Sequence, residues 1–252
     1  MSKIVFVTGA TSGFGKAIAE KFTANGYDLI ITGRRGDRLE KLSKELSEKN
    51  GVSVLPLVFD VQKREEVLKA ITELPERWKA IDILINNAGL ALGRDYFEEA
   101  SLDDWETMID TNLKGLLYVT RAVIPFMISG RAGHIINIGS VAGKEVYEKG
   151  NVYCASKHAV DAISKAMRID LLRHAIKVTA LHPGAAETEF SKVRFKGDEE
   201  TAGKIYEGYK ALAAEDIANV CFYCATLPPH VCINDLVMTC TAQANSLTTF
   251  KG

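Results

Sequence analysis

The sequence predicts a single α/β domain in which helices cover both faces of one parallel β-sheet. Short apolar runs rich in β-branched residues alternate with longer stretches in which apolar residues recur about every 3.6 positions. A cluster of glycines directly follows the first of these runs. The chain has 252 residues, 47% of them hydrophobic, which is enough for one core, with two domains as the alternative.

Seven apolar runs are predicted to form the strands of the sheet. They span residues 4–7, 29–32, 52–59, 83–86, 134–138, 178–181 and 236–239. Each run is short and nearly continuous in its apolar character, as is usual for a strand that is buried on both faces.

The first two helices are predicted from their apolar period and from the residues at which they stop. One spans residues 17–25 and stops at Gly26, and the other spans residues 38–49 and stops at Gly51. Glycine favours these positions because it adopts the left-handed conformation that ends many helices. Both segments are therefore expected to be amphipathic crossovers between parallel strands.

Later helices have start signals of their own. Ser101 with Asp104 forms a capping-box pattern, from which a helix is expected to run toward Pro125. Residues 151–173 are predicted to form another long helix. The segment 184–212 is rich in charge and has little apolar period at its start, so we expect a mobile loop or a small helical lid there.

The composition argues against two classes of partner. The 31 basic and 32 acidic side chains leave a formal net charge of -1, which disfavours binding to nucleic acid or to an anionic membrane surface. The apolar stretch 115–128 carries Arg121 and Pro125 and is shorter than the roughly 18 residues of a membrane span. The N-terminus resembles no signal peptide, so a cytoplasmic location is expected.

The five cysteines fit a reducing compartment, because an odd number does not form a complete disulfide framework. Cys221 and Cys224 make a Cys-x-x-Cys pair, but they lie within a helical pattern and no second ligand pair follows. They are therefore interpreted as core thiols, and no metal site is predicted.

The glycine cluster at residues 8–15 predicts a nucleotide site. It follows a strand and precedes a helix, so its backbone can approach a pyrophosphate whose charge then lies at the helix N-terminus. A P-loop is excluded, since five residues separate Gly9 from Gly15 and since Ala17, which follows Lys16, has no hydroxyl to bind Mg²⁺.

The Gly-x-x-x-Gly-x-Gly spacing resembles the signature of the short-chain dehydrogenase/reductase family. The resemblance extends through Asp60, Asn86, Asn87, Ala88, Gly89, Asn112, Ser140, Tyr153, Lys157, Pro183 and Gly184. It implies one Rossmann-like domain over residues 1–252 with a doubly wound, seven-stranded parallel sheet, assembled as a homotetramer. It also implies the cofactor-binding residues Gly9, Thr11, Ser12, Gly13, Phe14, Gly15, Asp60, Val61, Asn87, Ala88, Gly89, Tyr153, Lys157, Pro183, Gly184, Ala186 and Thr188.

The end of the second strand predicts NADP rather than NAD as the cofactor. An NAD site of this type places a carboxylate there to bond the ribose 2′-hydroxyl. This chain has Arg34 and Arg35 instead, and no carboxylate before Asp37. Two guanidinium groups suit a 2′-phosphate because they form charge-assisted hydrogen bonds with it. The alternative is that the arginines cap the strand or pair with Glu40.

Tyr153 and Lys157 are the predicted acid/base pair. They are four residues apart on a predicted helix and therefore project from one face. Tyrosine ionises near a pKa of about 10, and a neighbouring ammonium group favours its phenolate. Ser140 is expected to orient the substrate oxygen. Asn112, by resemblance, holds a water that links Lys157 to solvent.

A closer resemblance predicts the substrate. Three parts of the chain resemble the NADP-dependent 3-hydroxy acid dehydrogenases, a group that oxidises the β-hydroxyl of serine, allo-threonine and 3-hydroxypropionate. The matching residues are 90–93, 188–190, Ser191, Val193, Arg194, Phe195, Gly197, Asp198, 227–230, Ile233 and Asn234. Arg194, in the predicted lid, is the expected ligand of the substrate carboxylate. The residues that depart from the pattern of that group are His182, Ala185 and Ala186.

Two alternatives remain beside this small-molecule substrate. One is a general NADPH-dependent ketone or aldehyde reductase, in which Arg194 pairs only with neighbouring acids. The other is a sensor that binds NADPH without turnover, because a fold does not establish an activity. The complete catalytic set favours an enzyme, since a sensor has no need of it.

Overall fold

The computed structural model describes residues 2–252, and within them seven strands form one parallel sheet. The strands are β1 (Ile4–Val7), β2 (Asp28–Gly33), β3 (Val54–Val58), β4 (Ile81–Asn86), β5 (Gly133–Ile138), β6 (Ile176–Pro183) and β7 (Asp235–Met238). Their order across the sheet is β3-β2-β1-β4-β5-β6-β7. The predicted doubly wound sheet is confirmed, and each predicted run coincides with a strand to within two residues at either end.

The α-helices lie between the strands or follow them. They are α1 (Gly13–Thr23), α2 (Gly36–Asn50), α3 (Arg64–Thr72), α4 (Leu102–Ile109), α5 (Leu116–Gly130), α6 (Asn151–Asp170), α7 (Glu189–Arg194), α8 (Glu199–Lys204) and α9 (Ala214–Thr226). The stop predicted at Gly51 is confirmed, because this residue is left-handed and its amide bonds the carbonyl of Ser47. The long helix predicted to end at residue 173 ends at Asp170 and continues as a short 3₁₀ turn.

Alternating side chains of β1 show how the sheet is covered on both faces. Val5 and Val7 are fully buried in a cluster with residues of α1, α2 and α9. Ile4 and Phe6 lie in a second cluster, which includes residues of α3 and α5. Strands that are buried on both faces therefore explain the nearly continuous apolar runs of the sequence.

The α4–α5 segment corrects one sequence-based expectation. The helix expected to run toward Pro125 continues past this residue and spans Leu102 to Gly130, with a π-helical turn at Asp110–Gly115. Within residues 2–252, this is the one helix whose length and composition would allow it to cross a membrane, with a mean hydropathy of 1.2 over its most apolar window. This is weak evidence for a membrane, because core helices pass the same test and α5 packs into the core of the domain.

The predicted lid contains two short helices, α7 and α8, within residues 184–212. Thr188 caps α7 by accepting a hydrogen bond from the amide of Phe190, and Asp198 caps α8 in the same way from Thr201. The segment therefore contains short helices, which was one of the two structures expected for it. The predicted core thiols Cys221 and Cys224 are buried on α9, and burial raises the pKa of both.

Strand order reverses between β1 and β4, each of which is followed by a loop at the carboxyl edge of the sheet. The chain extends from β1 to β3 on one side of this point and from β4 to β7 on the other. In open α/β sheets a crevice forms at such a switch point and holds the ligand.

Candidate active site

A cavity of about 490 Å³ opens at the carboxyl edge of the sheet, beside the switch point. It brings together nearly all of the residues predicted from the sequence. Those that line it are Gly9, Thr11, Ser12, Gly13, Phe14, Arg34, Arg35, Asp60, Val61, Asn87, Ala88, Gly89, Ser140, Tyr153, Lys157, Pro183, Gly184, Ala186, Thr188 and Arg194. The two remaining predicted residues, Gly15 and Asn112, support the cavity from behind, as described below.

The glycine loop fits the close approach of a dinucleotide. Gly9 and Gly13 both have positive φ, at 67° and 50°, in the left-handed region that favours glycine. A Cβ on Gly15 would lie 2.2 Å from the carbonyl oxygen of Gly9. Gly15 therefore allows α1 to pack directly against the loop, so that the N-terminus of α1 faces the cavity where a pyrophosphate would bind.

Asn87 joins this loop to the end of β4. Its Nδ2 donates hydrogen bonds to the carbonyl oxygens of Thr8, at 2.9 Å, and Gly9, at 3.1 Å. The hydroxyl of Thr8 accepts hydrogen bonds from the amides of Asn87 and Ala88, both at 2.9 Å. These bonds hold the two walls of the crevice at a fixed separation.

The two predicted phosphate ligands are held differently. Arg35 donates from Nη2 to the hydroxyls of Thr11, at 2.7 Å, and Ser12, at 3.2 Å, whereas Arg34 forms a long ion pair with Asp60, at 3.9 Å. The Glu189 carboxylate lies 3.6 Å from Arg35 and is also near Arg38. The predicted alternative partner, Glu40, is not the carboxylate that pairs with these arginines.

Tyr153 lies at the centre of the cavity and is 8% exposed. Burial is the main influence on its phenol and raises the pKa well above the usual value, and Tyr147 raises it further. The hydrogen bond with Ser140 and the charge of Arg194 act in the opposite direction. Ser140 and Arg194 therefore favour the phenolate, and the same effect expected of the Lys157 ammonium stays a prediction.

Lys157 is buried on the same helix, and its Nζ donates a hydrogen bond of 3.0 Å to the carbonyl oxygen of Ile138. Burial lowers the pKa of this ammonium group to about 8. The group therefore remains largely charged at neutral pH, yet it releases a proton far more readily than an exposed lysine does.

Asn112 lies in the π-helical turn behind the cavity. Its Oδ1 accepts a hydrogen bond of 2.8 Å from the amide of Leu90. Its Nδ2 donates to the carbonyl of Leu90, at 2.8 Å, and to the hydroxyl of Ser156, at 3.0 Å. Since both amide hydrogens are engaged, the predicted water contact is left to an acceptor atom of Asn112, and its role stays a prediction.

Arg194 extends from the lid toward the phenol of Tyr153. Its Nε donates to the carbonyl of Gly93, at 3.3 Å, and its Nη1 donates to the hydroxyl of Tyr147, at 3.0 Å. The guanidinium carbon lies 5.5 Å from the centre of the Tyr153 ring. Nη2 is buried and has no hydrogen-bond partner among residues 2–252, so a donor is left for a ligand.

Several cavity residues were not identified from the sequence, and three of them make polar contacts that shape the site. Tyr147 fixes the orientation of Arg194, and Tyr206 donates to the carbonyl of Ala186, at 2.8 Å. Gln243 accepts a hydrogen bond of 2.8 Å from the amide of Ala185 through its Oε1. None of the three lies in a motif, so the sequence offered no signal for them.

Comparison with known proteins agrees with this geometry. A family profile described as short chain dehydrogenase matches residues 3–199. The NADP-dependent 3-hydroxy acid dehydrogenase of Salmonella typhi is 51% identical over 242 residues, which cover 96% of each chain. Sulfoacetaldehyde reductase 2 of Chromohalobacter salexigens is 47% identical, over 97% of this chain and 96% of that one. A solved structure of serine dehydrogenase in a closed form with NADP⁺ has a TM-score of 0.92 and 47% identity, and covers 99% of both chains.

Proposed function

Because the chain belongs to the short-chain dehydrogenase family, we propose that it is an NADP-dependent oxidoreductase for small 3-hydroxy acids. It oxidises the β-hydroxyl of substrates such as serine, allo-threonine or 3-hydroxypropionate, or it reduces the matching carbonyl. The identity of 51% to an NADP-dependent 3-hydroxy acid dehydrogenase supports this assignment. Arg34 and Arg35 at the end of β2 support NADP as the cofactor.

The observation that carries the substrate assignment is the unpaired nitrogen of Arg194. A buried guanidinium donor without a partner costs free energy, which an incoming carboxylate would recover by accepting its hydrogen bond. Gly93 and Tyr147 hold the other two nitrogens, so the free donor is oriented before the substrate arrives. In a 3-hydroxy acid the carboxylate and the reacting hydroxyl are close together, as Arg194 and Tyr153 are here.

The cofactor residues would hold NADP along the crevice, with its pyrophosphate at the glycine loop and its 2′-phosphate at the two arginines. When bound, NADP⁺ supplies the hydride acceptor and NADPH the hydride donor for the carbinol carbon.

Tyr153 moves the proton on the substrate oxygen. Its raised pKa keeps the phenol protonated in the free protein, which is the form that donates a proton to a carbonyl oxygen during reduction. During oxidation the phenol must first lose its proton, and Ser140 and Arg194 favour that loss. Ser140 also orients the substrate oxygen, and Lys157 is the nearby buried group whose pKa of about 8 suits proton delivery.

Substitution of Arg194 by alanine tests the assignment on two matched substrates, 3-hydroxypropionate and the uncharged 1,3-propanediol. Loss of a charge-assisted hydrogen bond of about 1.5 to 3 kcal/mol should lower kcat/KM for the acid by about 10- to 150-fold. The diol should be affected by no more than a few-fold. Lys192→Ala removes a charge from the exposed face of the same lid helix and serves as the control. Equal losses on both substrates would favour a general ketone or aldehyde reductase.

A second candidate is the reduction of sulfoacetaldehyde, since a relative with that name is 47% identical. A sulfonate carries the same charge as a carboxylate and accepts the same hydrogen bond from Arg194. Comparison of kcat/KM for sulfoacetaldehyde with that for the semialdehyde of a 3-hydroxy acid distinguishes the two. Tight NADPH binding without turnover of either aldehyde would instead favour the sensor.

The homotetramer and the cytoplasmic location are further parts of the proposal. Ile169 and Leu172 support self-association, because these large apolar side chains at the end of α6 are 74% and 75% exposed. Light scattering on the purified protein would measure the mass of the assembly.

A further inference from the structure

A group of charged side chains around one fully buried histidine lies behind Ser140, and no step described above uses it. At its centre is His182 of β6, which is 0% exposed. Its Nε2 lies 3.6 Å from Oδ1 of Asp161 on α6 and 3.6 Å from Oδ1 of Asp235 on β7. Lys144 pairs with both carboxylates, at 2.8 Å from Asp161, and Lys165 pairs with Asp161 at 2.7 Å.

The other ring nitrogen of His182 contacts the catalytic turn. Nδ1 lies 3.2 Å from the backbone carbonyl oxygen of Ser140. The ring packs against Gly139 so closely that a Cβ at that position would lie 2.4 Å from Nδ1. Because a carbonyl oxygen only accepts hydrogen bonds, this contact requires the proton to be on Nδ1.

The surroundings of the ring favour its neutral form. Burial lowers the pKa of His182, and the ammonium of Lys144 lowers it further, while Asp161 and Asp235 oppose the shift. The neutral ring has one N–H, which bonds Ser140 through Nδ1. Nε2 then has no hydrogen-bond partner among the residues described. The two carboxylates near it are instead paired with the ammonium of Lys144.

We propose that His182 is a positioning residue for the oxidoreductase reaction: its Nδ1–H holds the carbonyl of Ser140 and thereby sets the hydroxyl of Ser140 against Tyr153. Lys144 stabilises the turn that begins at Ser140, because it lies four residues further along the chain and forms an ion pair with Asp161 of α6. The same helix carries Tyr153 and Lys157. The inference rests on the proposed reaction, because it concerns the group that orients the substrate oxygen.

A divalent cation is the other ligand that His182, Asp161 and Asp235 suggest, because one atom from each lies within 4.8 Å of the others. The ammonium of Lys144 already lies between the two carboxylates and supplies the positive charge that a metal would bring. The positioning role is therefore favoured, and the metal becomes an outcome of the test.

Two substitutions of similar size separate the functions of the two ring nitrogens. In His182→Asn the amide nitrogen occupies the position of Nδ1 and can still donate to Ser140. In His182→Gln the amide extends toward the position of Nε2 and leaves the carbonyl without a donor. His182→Ala removes both contacts. A misplaced catalytic group commonly costs about 100-fold in rate, so we expect kcat to fall by about 10- to 100-fold in the Gln and Ala variants.

His182→Asn should retain kcat within about 3-fold of the native value, and in the Gln and Ala variants kcat should fall by more than KM for NADP rises, since the ring contacts the Ser140 turn and not the glycine loop or the two arginines. A purely structural role would instead lower kcat in step with the melting temperature, so thermal unfolding is measured for each variant. If the Ala variant does not fold, the Asn and Gln pair still decides the result.

Equal kcat for the Asn and Gln variants, or native kcat in all three, would overturn the proposal. Loss of native activity on treatment with EDTA, restored by Zn²⁺ or Mn²⁺, would overturn it in favour of a metal site. The variants are assayed on whichever hydroxy compound the native enzyme oxidises fastest. Failure of the proposed function would appear as no 3-hydroxy acid oxidation by the native enzyme, which is a separate result.

Discussion

Arg35 should contribute more to the selection of NADP than its neighbour Arg34. Thr11 and Ser12 fix the guanidinium of Arg35, so little side-chain freedom is lost when it binds a phosphate. Arg34 is 62% exposed, and its ion pair with Asp60 is long, at 3.9 Å. The comparison of Arg35→Met with Arg34→Met therefore separates a pre-oriented cation from a mobile one.

The exposure of each arginine sets how much free energy it contributes to NADP binding. A hydrogen bond to a charged group contributes about 1.5 to 3 kcal/mol, but Arg35 is 40% exposed and solvent screening places its contribution near the lower limit. A loss of about 1.5 kcal/mol raises KM for NADP by about 10-fold. An exposed ion pair contributes about 0.2 to 1 kcal/mol, so the loss of Arg34 should raise KM for NADP by no more than about 5-fold.

A substitution of Glu189 should change KM for NADP in the opposite direction and serves as a control. Its carboxylate lies 3.6 Å from Arg35 and 3.7 Å from Arg38, where it competes with a 2′-phosphate for the same cations. Glu189→Gln should therefore lower KM for NADP, while both arginine variants raise it.

The assay measures kcat/KM for NADP and for NAD with one saturating substrate, in a buffer free of phosphate and at constant ionic strength. NAD lacks the 2′-phosphate, so its KM should be nearly unaffected by any of these changes. Equal losses with the two cofactors, or a larger loss for Arg34→Met than for Arg35→Met, would refute the reasoning.

Two further predictions concern proton transfer and pH. Tyr153→Phe should lower kcat by about 10²- to 10⁴-fold while the Kd for NADPH, measured by fluorescence, stays within about 2-fold. Lys157→Met should instead lower kcat and also raise the Kd for NADPH. Substantial turnover by the Phe variant would reject Tyr153 as the acid or base. Burial lowers the pKa of His134 to about 3, so below its usual pKa of about 6.5 the unfolded chain binds the extra proton and stability falls as the pH falls. His134→Gln should remove up to about 1.4 kcal/mol per pH unit of this dependence between pH 6.5 and 4 in urea titrations, and an unchanged slope would contradict it.

The strands and the nucleotide end of the site were predictable because their signals are local. A strand buried on both faces must be apolar along its length, and the loop after β1 needs glycine at positions whose φ is positive or whose Cβ would collide. These constraints act on neighbouring residues, so they can be read directly from the chain.

The substrate end was less predictable because its contacts are distant in sequence. Arg194 was identified by resemblance, but its orientation depends on Gly93, 101 positions away, and on Tyr147. The spacing of Tyr153 and Lys157 likewise does not reveal that Lys157 donates to the carbonyl oxygen of Ile138. Only the packed structure shows which buried group faces which partner.

Because β1 pairs with β2 on one side and β4 on the other, the cofactor crevice exists only while two separate halves of the chain remain docked together. Any partial opening that separates β1 from β4 removes the crevice, and such an open form has no affinity for NADP. Bound NADP therefore lowers the population of these open forms in proportion to its saturation of the crevice. Cleavage by proteases that attack open chains should slow accordingly, so the supply of cofactor would set the lifetime of the protein as well as its rate of turnover.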